Sequence, residues 1–226
     1  MNAGRLAIGP LSLALASVLT LMAACSSAPP PPDWQMNAKA SLERATAAYL
    51  SGNNRLEALE FNRARAELAR TGRADLLARA ELTRCAVRVA SLVFEDCPGF
   101  DALAQDAPPA ERAYAAYLAG KATALEAALL PAAQRDAWLG DGSATALSGM
   151  PDPVSRLVAA GVLLRSGRAR PTVFTLAADT ASDQGWSRPL LAWLGVQAQR
   201  AEAAGEVNEA ARLRRRMATV APEVQR

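Results

Sequence analysis

Hydrophobic residues recur along most of the chain at the three- and four-residue intervals of an α-helix. The apolar face of a first predicted helix consists of Ala38, Leu42, Ala45 and Tyr49. The longest stripe, on a third predicted helix, consists of Ala78, Leu82, Cys85, Val89 and Leu92. This spacing places the apolar side chains on one helical face, so the pattern predicts amphipathic helices.

Turn-forming residues divide the pattern into separate helices. The first helix ends at Gly52, a second carries Phe61, Ala64 and Leu68 and stops near Gly72, and the third ends before Pro98. A further helix carries Tyr114, Tyr117, Leu118, Leu125 and Leu129. Four more are predicted at 154–166, 171–182, 187–204 and 206–220. Residues 131–152 contain two turn signals and predict only short helical pieces.

Composition agrees with an all-helical fold. Alanine, the best helix former, makes up nearly a quarter of the chain, and aromatic residues make up 5%. The absence of histidine excludes Ser-His-Asp catalysis and histidine-ligated metals, and we expect no metal and no cofactor. The predicted fold class is all-α, with antiparallel helical hairpins stacked as an α-solenoid or packed as an irregular bundle.

The first 24 residues have the features of an export signal. A short basic segment precedes an apolar run that Gly9 and Pro10 interrupt, and small residues lead to Cys25. The sequence Leu21-Met22-Ala23-Ala24-Cys25 resembles the lipobox of bacterial lipoproteins, although Met22 stands where that family usually has leucine. The resemblance implies that Cys25 carries a diacylglycerol. The alternative is an ordinary secretory leader with an incidental cysteine.

The segment that follows Cys25 indicates how the protein is attached to the membrane. Ser26 in second place is similar to lipoproteins sorted to the outer membrane. Four consecutive prolines, at 29–32, predict an extended tether within residues 25–34. Residues 35–226 then form the helical domain. We expect a body that faces the periplasm and is anchored to the outer membrane through its lipid.

Two further cysteines remain in this oxidising compartment. Cys85 and Cys97 are twelve residues apart, and a continuous helix would separate them by about 18 Å, too far for a disulfide. Pairing therefore requires the helix of Cys85 to end early and the chain to fold back near Pro98. We predict this disulfide; a buried free thiol at Cys85 is the alternative.

Charge adds little to the picture. The formal net charge is +3, and the single dense run consists of Arg212, Arg214, Arg215 and Arg216. This run fits a solvated helix face, or a contact with phosphates or an acidic partner. Nucleic acid is not an expected partner of an exported protein.

An internal repeat relates two parts of the chain. The sequence Ala47-Ala48-Tyr49-Leu50-Ser51-Gly52 recurs as Ala115-Ala116-Tyr117-Leu118-Ala119-Gly120, at a distance of 68 residues. This distance is twice the 34-residue period of tetratricopeptide (TPR) repeats, which the chain resembles in degenerate form. The resemblance implies stacked helical hairpins. It extends to the last hairpin through Ala198, Gly205, Ala210 and Pro222.

Four aromatic residues are candidates for partner binding: Tyr49, Tyr117, Trp186 and Trp193. The tryptophans are seven residues apart and share a face if their helix begins before Trp186. If it begins at Ser187, with Pro189 in its first turn, Trp186 packs against the helix start instead. For all four residues, packing between helices is the alternative to a binding role.

These features predict a non-enzymatic scaffold or adaptor that binds a protein in an envelope assembly. One alternative is a lipoprotein that binds peptidoglycan or regulates a cell-wall enzyme. Another is a murein hydrolase that uses one glutamate, as lytic transglycosylases do. The Glu-Ser pair of those enzymes is absent, since no glutamate in this chain precedes a serine.

Overall fold

Helices account for the secondary structure of residues 30–220, the range that the computed structural model describes, and no strand occurs there. The twelve helices are α1 (Asp33–Leu50), α2 (Asn54–Ala69), α3 (Ala74–Ala90), α4 (Pro98–Asp101), α5 (Pro109–Leu118), α6 (Ala124–Ala127), α7 (Ala132–Leu139), α8 (Ala144–Ser148), α9 (Pro153–Arg165), α10 (Pro171–Asp183), α11 (Ser187–Ala203) and α12 (Val207–Val220). The prediction of an all-α fold is confirmed.

Helix starts follow the capping residues in the sequence. The Asn53 side chain accepts a hydrogen bond from the backbone of Leu56 at the start of α2, and Asp152 accepts one from Ser155 at the start of α9. Helix α1 begins at Asp33, two residues inside the predicted tether. The Asp33 carboxylate lies in the first turn, where the helix dipole favours a negative charge.

The helices pack as neighbouring hairpins and across long sequence distances. Helices α1 and α2 form one hairpin, and α10, α11 and α12 pack in succession. Helix α9 packs directly on α3, which it approaches closely because Gly161 has no side chain. A Cβ atom at Gly161 would lie 2.3 Å from the carbonyl oxygen of Val89. This contact brings together two helices that are far apart in the chain.

The largest cluster of buried side chains combines α3, α9, α10 and α11. Trp193 of α11 is fully buried there, and its indole Nε1 donates a hydrogen bond to the carbonyl oxygen of Ala90 at 3.1 Å. A smaller cluster between α1, α2 and α3 contains Ala38, Phe61 and Leu68. No helix within residues 30–220 is long and apolar enough to cross a membrane.

Four glutamates are buried and paired with arginines on neighbouring helices: Glu57, Glu60, Glu81 and Glu111. Arg44 of α1 contacts Glu60 of α2 at 2.9 Å, for example, with 54% of the arginine side chain exposed and 5% of the glutamate side chain. The carboxylates therefore lie inside and most of their guanidinium partners lie outside. Each pair satisfies a buried charge that would otherwise be costly.

Residues 131–152 are ordered by contacts with the turn between α9 and α10. Arg168 donates to the carbonyl oxygen of Gly140 at 2.9 Å, and its guanidinium lies 4.8 Å from the ring centre of Trp138. Arg170 pairs with Asp141 at 3.4 Å. The short helices α7 and α8 thus pack against α9 and α10. The prediction of short helical pieces here is correct.

Candidate functional site

A cleft of about 570 Å³ lies between α3, α5 and α9. One side chain of α1, Thr46, and the segment 129–131 after α6 complete its walls. Because α3 packs on both α5 and α9, the cleft follows from the central packing of the fold.

The interior of the cleft is mostly apolar. Its apolar lining consists of Leu82, Ala86, Val87, Ala110, Leu129, Leu130, Pro131, Val154 and Val158. Three residues with aliphatic hydroxyl groups, Thr46, Thr83 and Ser155, come from three different helices. A mainly apolar cavity of this size with a few polar groups is typical of sites that bind ligands or peptide segments.

One ion pair stands at the edge of the cleft. The Nε and Nη2 atoms of Arg79 both donate to Oε1 of Glu111, at 3.1 and 2.6 Å. The Glu111 side chain is 7% exposed, whereas the Arg79 side chain is 67% exposed. The third guanidinium nitrogen, Nη1, has no hydrogen-bond partner among residues 30–220. The edge of the cleft therefore presents a cation to solvent.

Tyr114 adds a phenol to the cleft wall. Burial, reinforced by the negative charge of Asp152, raises the pKa of Tyr114 to about 12. The pKa of the neighbouring Tyr117 is also raised by burial. Tyr114 is therefore neutral near pH 7 and can act there only as a hydrogen-bonding group and an apolar surface.

A second depression, of about 500 Å³, lies between α1, α2 and α3. Trp34 and Leu42 of α1 and Leu76 of α3 contribute its apolar surface. Arg79 lines both this depression and the cleft. The two concave surfaces are therefore neighbours along α3.

The two tyrosines that the sequence singled out lie at helix ends, away from the cleft lining. Tyr49 is 4% exposed, and the guanidinium groups of Arg88 and Arg188 lie 5.2 and 4.3 Å from the centre of its ring. Tyr117 is 1% exposed and packs edge-to-face on Trp138. Both side chains are inter-helix packing residues in this fold.

The two tryptophans have different positions. Helix α11 begins at Ser187, so Trp186 is the residue that precedes it, and Pro189 lies in the first turn. Trp186 packs against the cluster of Tyr49, Leu50 and Val87. Trp193 is buried in the main core, stacked near Phe174 with the ring centres 6.3 Å apart. The helix therefore begins at Ser187, as the second alternative requires, and Trp186 packs against side chains of α1 and α3.

The structure contains the predicted disulfide between Cys85 and Cys97, with the Cα atoms 6.1 Å apart. Helix α3 ends at Ala90 and the chain turns back through Leu92, which has a positive φ of 60°, so that Cys97 reaches Cys85. The prediction of this pairing is confirmed. The lipidation candidate Cys25 lies outside the described residues.

The arginine run on α12 is partly neutralised by acidic side chains. Arg212 pairs with Glu209 at 2.6 Å, and Arg214 pairs with Glu202 of α11. These pairs are exposed, as expected for a solvated helix face. In residues 30–220, histidine, cysteine, aspartate and glutamate form no group of three that could hold a metal ion.

Sequence reasoning did not identify the residues of the cleft edge, Arg79 and Glu111. Each is a charged residue on a helix, and such residues usually face solvent. Leu125 and Leu129 belong to a predicted apolar face, yet they are 85% and 48% exposed. The segment between Gly120 and Pro131 is too short for a long helix. This shortness was the signal in the sequence that an apolar residue there would be exposed.

Comparisons with known protein families, with curated proteins and with solved structures give no match to this chain.

Proposed function

We propose that this protein is a lipid-anchored adaptor of the bacterial periplasm that binds a segment of a partner protein in its cleft. The observation that carries the proposal is the cleft of about 570 Å³, with its apolar interior and the exposed cation of Arg79 at its edge. Such a surface suits an apolar side chain of a peptide segment and needs no catalytic group. The proposed lipid anchor and periplasmic location rest on the sequence around Cys25.

The chemistry of the cleft supports binding over hydrolysis. A glutamate that acts as a general acid needs a carboxyl group free to hold and release a proton. Glu111 is the glutamate that lines the cleft, and its Oε1 accepts two hydrogen bonds from Arg79. Glu111 therefore acts as an ion-pair partner that orients Arg79.

Photo-crosslinking in intact envelopes tests the proposal. A benzophenone amino acid replaces Leu129, which lines the cleft and is 48% exposed, in one variant. The matched control replaces Leu139, which is 60% exposed and lies on α7 away from the cleft. We expect a crosslink from position 129 to a different envelope protein, and none to that protein from position 139.

A substitution pair makes the result specific to the cleft. Leu129→Ser is expected to weaken co-purification with the crosslinked protein about tenfold, because it removes apolar area from the binding surface, and Leu139→Ser leaves it unchanged. Crosslinking from position 129 to peptidoglycan, with retention of the protein on isolated sacculi, would instead support the cell-wall alternative. Release of muropeptides by the purified protein, lost in Glu111→Gln, would contradict a non-enzymatic role.

A further inference from the structure

The hairpin of α11 and α12 is basic, and its charges are separated along the chain. Residues 187–220 contain six arginines and three glutamates. The glutamates lie within residues 202–209, around the turn between the two helices. Residues 210–220 contain no acidic residue and four arginines: Arg212, Arg214, Arg215 and Arg216. Positive charge is therefore concentrated in the later turns of α12.

Two of these four charges are not neutralised by a neighbour. Arg212 and Arg214 pair with glutamates of the same hairpin. Arg215 and Arg216 have no carboxylate partner among residues 30–220. The arginine run therefore keeps two positive charges that are free to attract an anionic partner.

One side of α12 faces solvent. Ala210 and Leu213 are buried against the core on the opposite side. The exposed side contains a row of residues at three- and four-residue intervals: Asn208, Arg212, Arg215 and Thr219. Helix α12 packs mainly on α11, and no helix within residues 30–220 covers this row. The exposed side of α12 is thus an unpartnered, basic helix face.

We propose that the exposed side of α12 lies against the anionic surface of the membrane, with its arginines on lipid phosphates. Guanidinium groups suit this role because they bind phosphate oxygens through paired, charge-assisted hydrogen bonds. The inference rests on the lipid anchor of the proposed function, which keeps the helical domain close to a lipid surface. At the high local concentration that an anchor provides, a weak attraction is enough to orient the domain.

The composition of this side favours a lipid surface over an acidic protein. Protein interfaces depend on large apolar or aromatic residues that fill pockets of the partner. Within α12, Val207 is the one large apolar residue with high exposure, and it lies at the other end of the helix from the arginine run. A lipid surface needs no such residue, since each basic side chain near it strengthens the association about fivefold.

The attraction is expected to be purely electrostatic. The apolar residues Leu213 and Met217 of α12 pack against the main core. The helix therefore has no free apolar face to insert into lipid, as isolated amphipathic helices do. The contact should require anionic lipid and weaken when salt screens the charges.

Photo-crosslinking on vesicles tests the orientation of α12. The lipidated full chain carries a benzophenone amino acid at Thr219, which is exposed on α12, or at Leu139, which is 60% exposed on α7. Each protein is reconstituted into vesicles of phosphatidylcholine, with or without phosphatidylglycerol. We expect the yield of lipid adducts from position 219 to rise about tenfold with the anionic lipid and to fall again at high salt. The yield from position 139 is expected to stay low on both kinds of vesicle.

Charge variants connect this result to the arginine run. Arg215→Gln/Arg216→Gln is expected to lower the yield from position 219 on anionic vesicles about tenfold. The matched control, Lys39→Gln/Lys121→Gln, removes the same charge from exposed residues outside α11 and α12 and is expected to leave the yield unchanged. Equal effects of the two double variants, or equal yields on neutral and anionic vesicles, overturn the inference. Adducts from position 219 to a protein rather than to lipid in intact envelopes also overturn it, in favour of an acidic partner.

The lipid anchor is measured separately, by retention of the protein on phosphatidylcholine vesicles. Retention together with equal adduct yields contradicts only the inference about α12. Loss of the protein from neutral vesicles contradicts the anchor and overturns both proposals. Crosslinking of position 129 to a partner does not depend on the orientation of α12, so the binding role of the cleft is tested independently.

Discussion

Arg188 of α11 contacts Tyr49 and so connects α11 to the hairpin of α1 and α2. Its guanidinium lies 4.3 Å from the centre of the Tyr49 ring, and its Nε donates to the Tyr49 carbonyl oxygen at 2.6 Å. The same side chain donates from Nη2 to Asn54 Oδ1 at 2.5 Å. One residue of α11 thus holds the end of α1, the turn after it and the start of α2. Arg188 is more than 130 residues away in sequence from both Tyr49 and Asn54.

Replacement of Arg188 is expected to loosen this junction. Arg188→Gln removes two charge-assisted hydrogen bonds and a cation–π contact, so we expect the free energy of unfolding to fall by about 2 kcal/mol. Arg200→Gln, on the same helix, removes only a cation–π contact with Phe174 and is expected to cost less than about 1 kcal/mol. Urea unfolding measures both values. Equal effects of the two substitutions would contradict the role given to Arg188.

The disulfide is expected to stabilise the fold. Reduction of Cys85–Cys97 reopens a loop of twelve residues in the unfolded chain and should lower the free energy of unfolding by about 2–4 kcal/mol. Thermal melting with and without reductant measures the effect. The double variant Cys85→Ser/Cys97→Ser is the control, because its melting temperature should not change when reductant is added. Identical melting of the oxidised and reduced wild type would show that the bond contributes nothing.

Alkaline stability is expected to depend on Tyr114. Its pKa is raised from 10.0 to about 12 in the folded protein, chiefly by burial. The folded state therefore keeps a proton that the unfolded state releases, and stability is fully present below pH 10 and declines as the pH rises from 10 towards 12. Burial also raises the pKa values of Tyr49 and Tyr117, so these two phenols add to the loss of stability in this range.

Tyr114→Phe removes that ionisation. We expect a shallower loss of stability between pH 10 and 12 than in the wild type, and little change in the pH dependence between pH 7 and 9. Urea midpoints measured at intervals across pH 7–11.5 provide the comparison. A Tyr114→Phe profile parallel to the wild type at every pH would mean that this phenol does not govern alkaline unfolding.

Local signals in the sequence predicted the C-terminal helices well. The expected ranges 154–166, 171–182, 187–204 and 206–220 agree within one residue at each end with α9 to α12. Apolar periodicity sets the helix body there, and proline or glycine marks the ends. The disulfide was predictable for a similar reason, since Pro98 marks a turn that brings Cys97 back towards Cys85.

The cleft was not predictable in the same way because its walls are distant in sequence. Arg79 and Glu111 are 32 residues apart, and α9 lies more than 60 residues beyond α3. Periodicity states which side of a helix is buried but not which helix covers it. It also failed at Leu125, because the one-turn helix α6 has no neighbouring helix over that side chain.

The internal repeat was similarly informative only in part. Tyr49 and Tyr117 are both buried, and each precedes by three residues a glycine with a positive φ, 87° at Gly52 and 71° at Gly120. The repeated segments therefore end their helices alike. Beyond the glycines they differ, since α2 has 16 residues and α6 has four. The kinship with TPR repeats stays a prediction.

The crossing of α3 and α9 makes Gly161 the most sensitive glycine of the central packing. A Cβ atom there would lie 2.3 Å from the Val89 carbonyl oxygen and 3.0 Å from its Cγ1 atom, so Gly161→Ala must push the two helices apart. Overpacking of this kind is expected to cost about 1–3 kcal/mol, against the gain that alanine normally gives inside a helix. Because α3 and α9 also form two walls of the cleft, the substitution should widen it as well.

Gly195→Ala is the matched control, because it is also a glycine inside a helix. Its new Cβ atom would meet only Met217 Cε at 3.8 Å, an ordinary contact. Gly195→Ala is therefore expected to stabilise the protein by about 0.5–1 kcal/mol, through reduced freedom of the unfolded chain. Opposite signs for the two substitutions in urea unfolding would establish that the close approach of α3 and α9 depends on Gly161. Two stabilising substitutions would mean that the helices can separate at no cost.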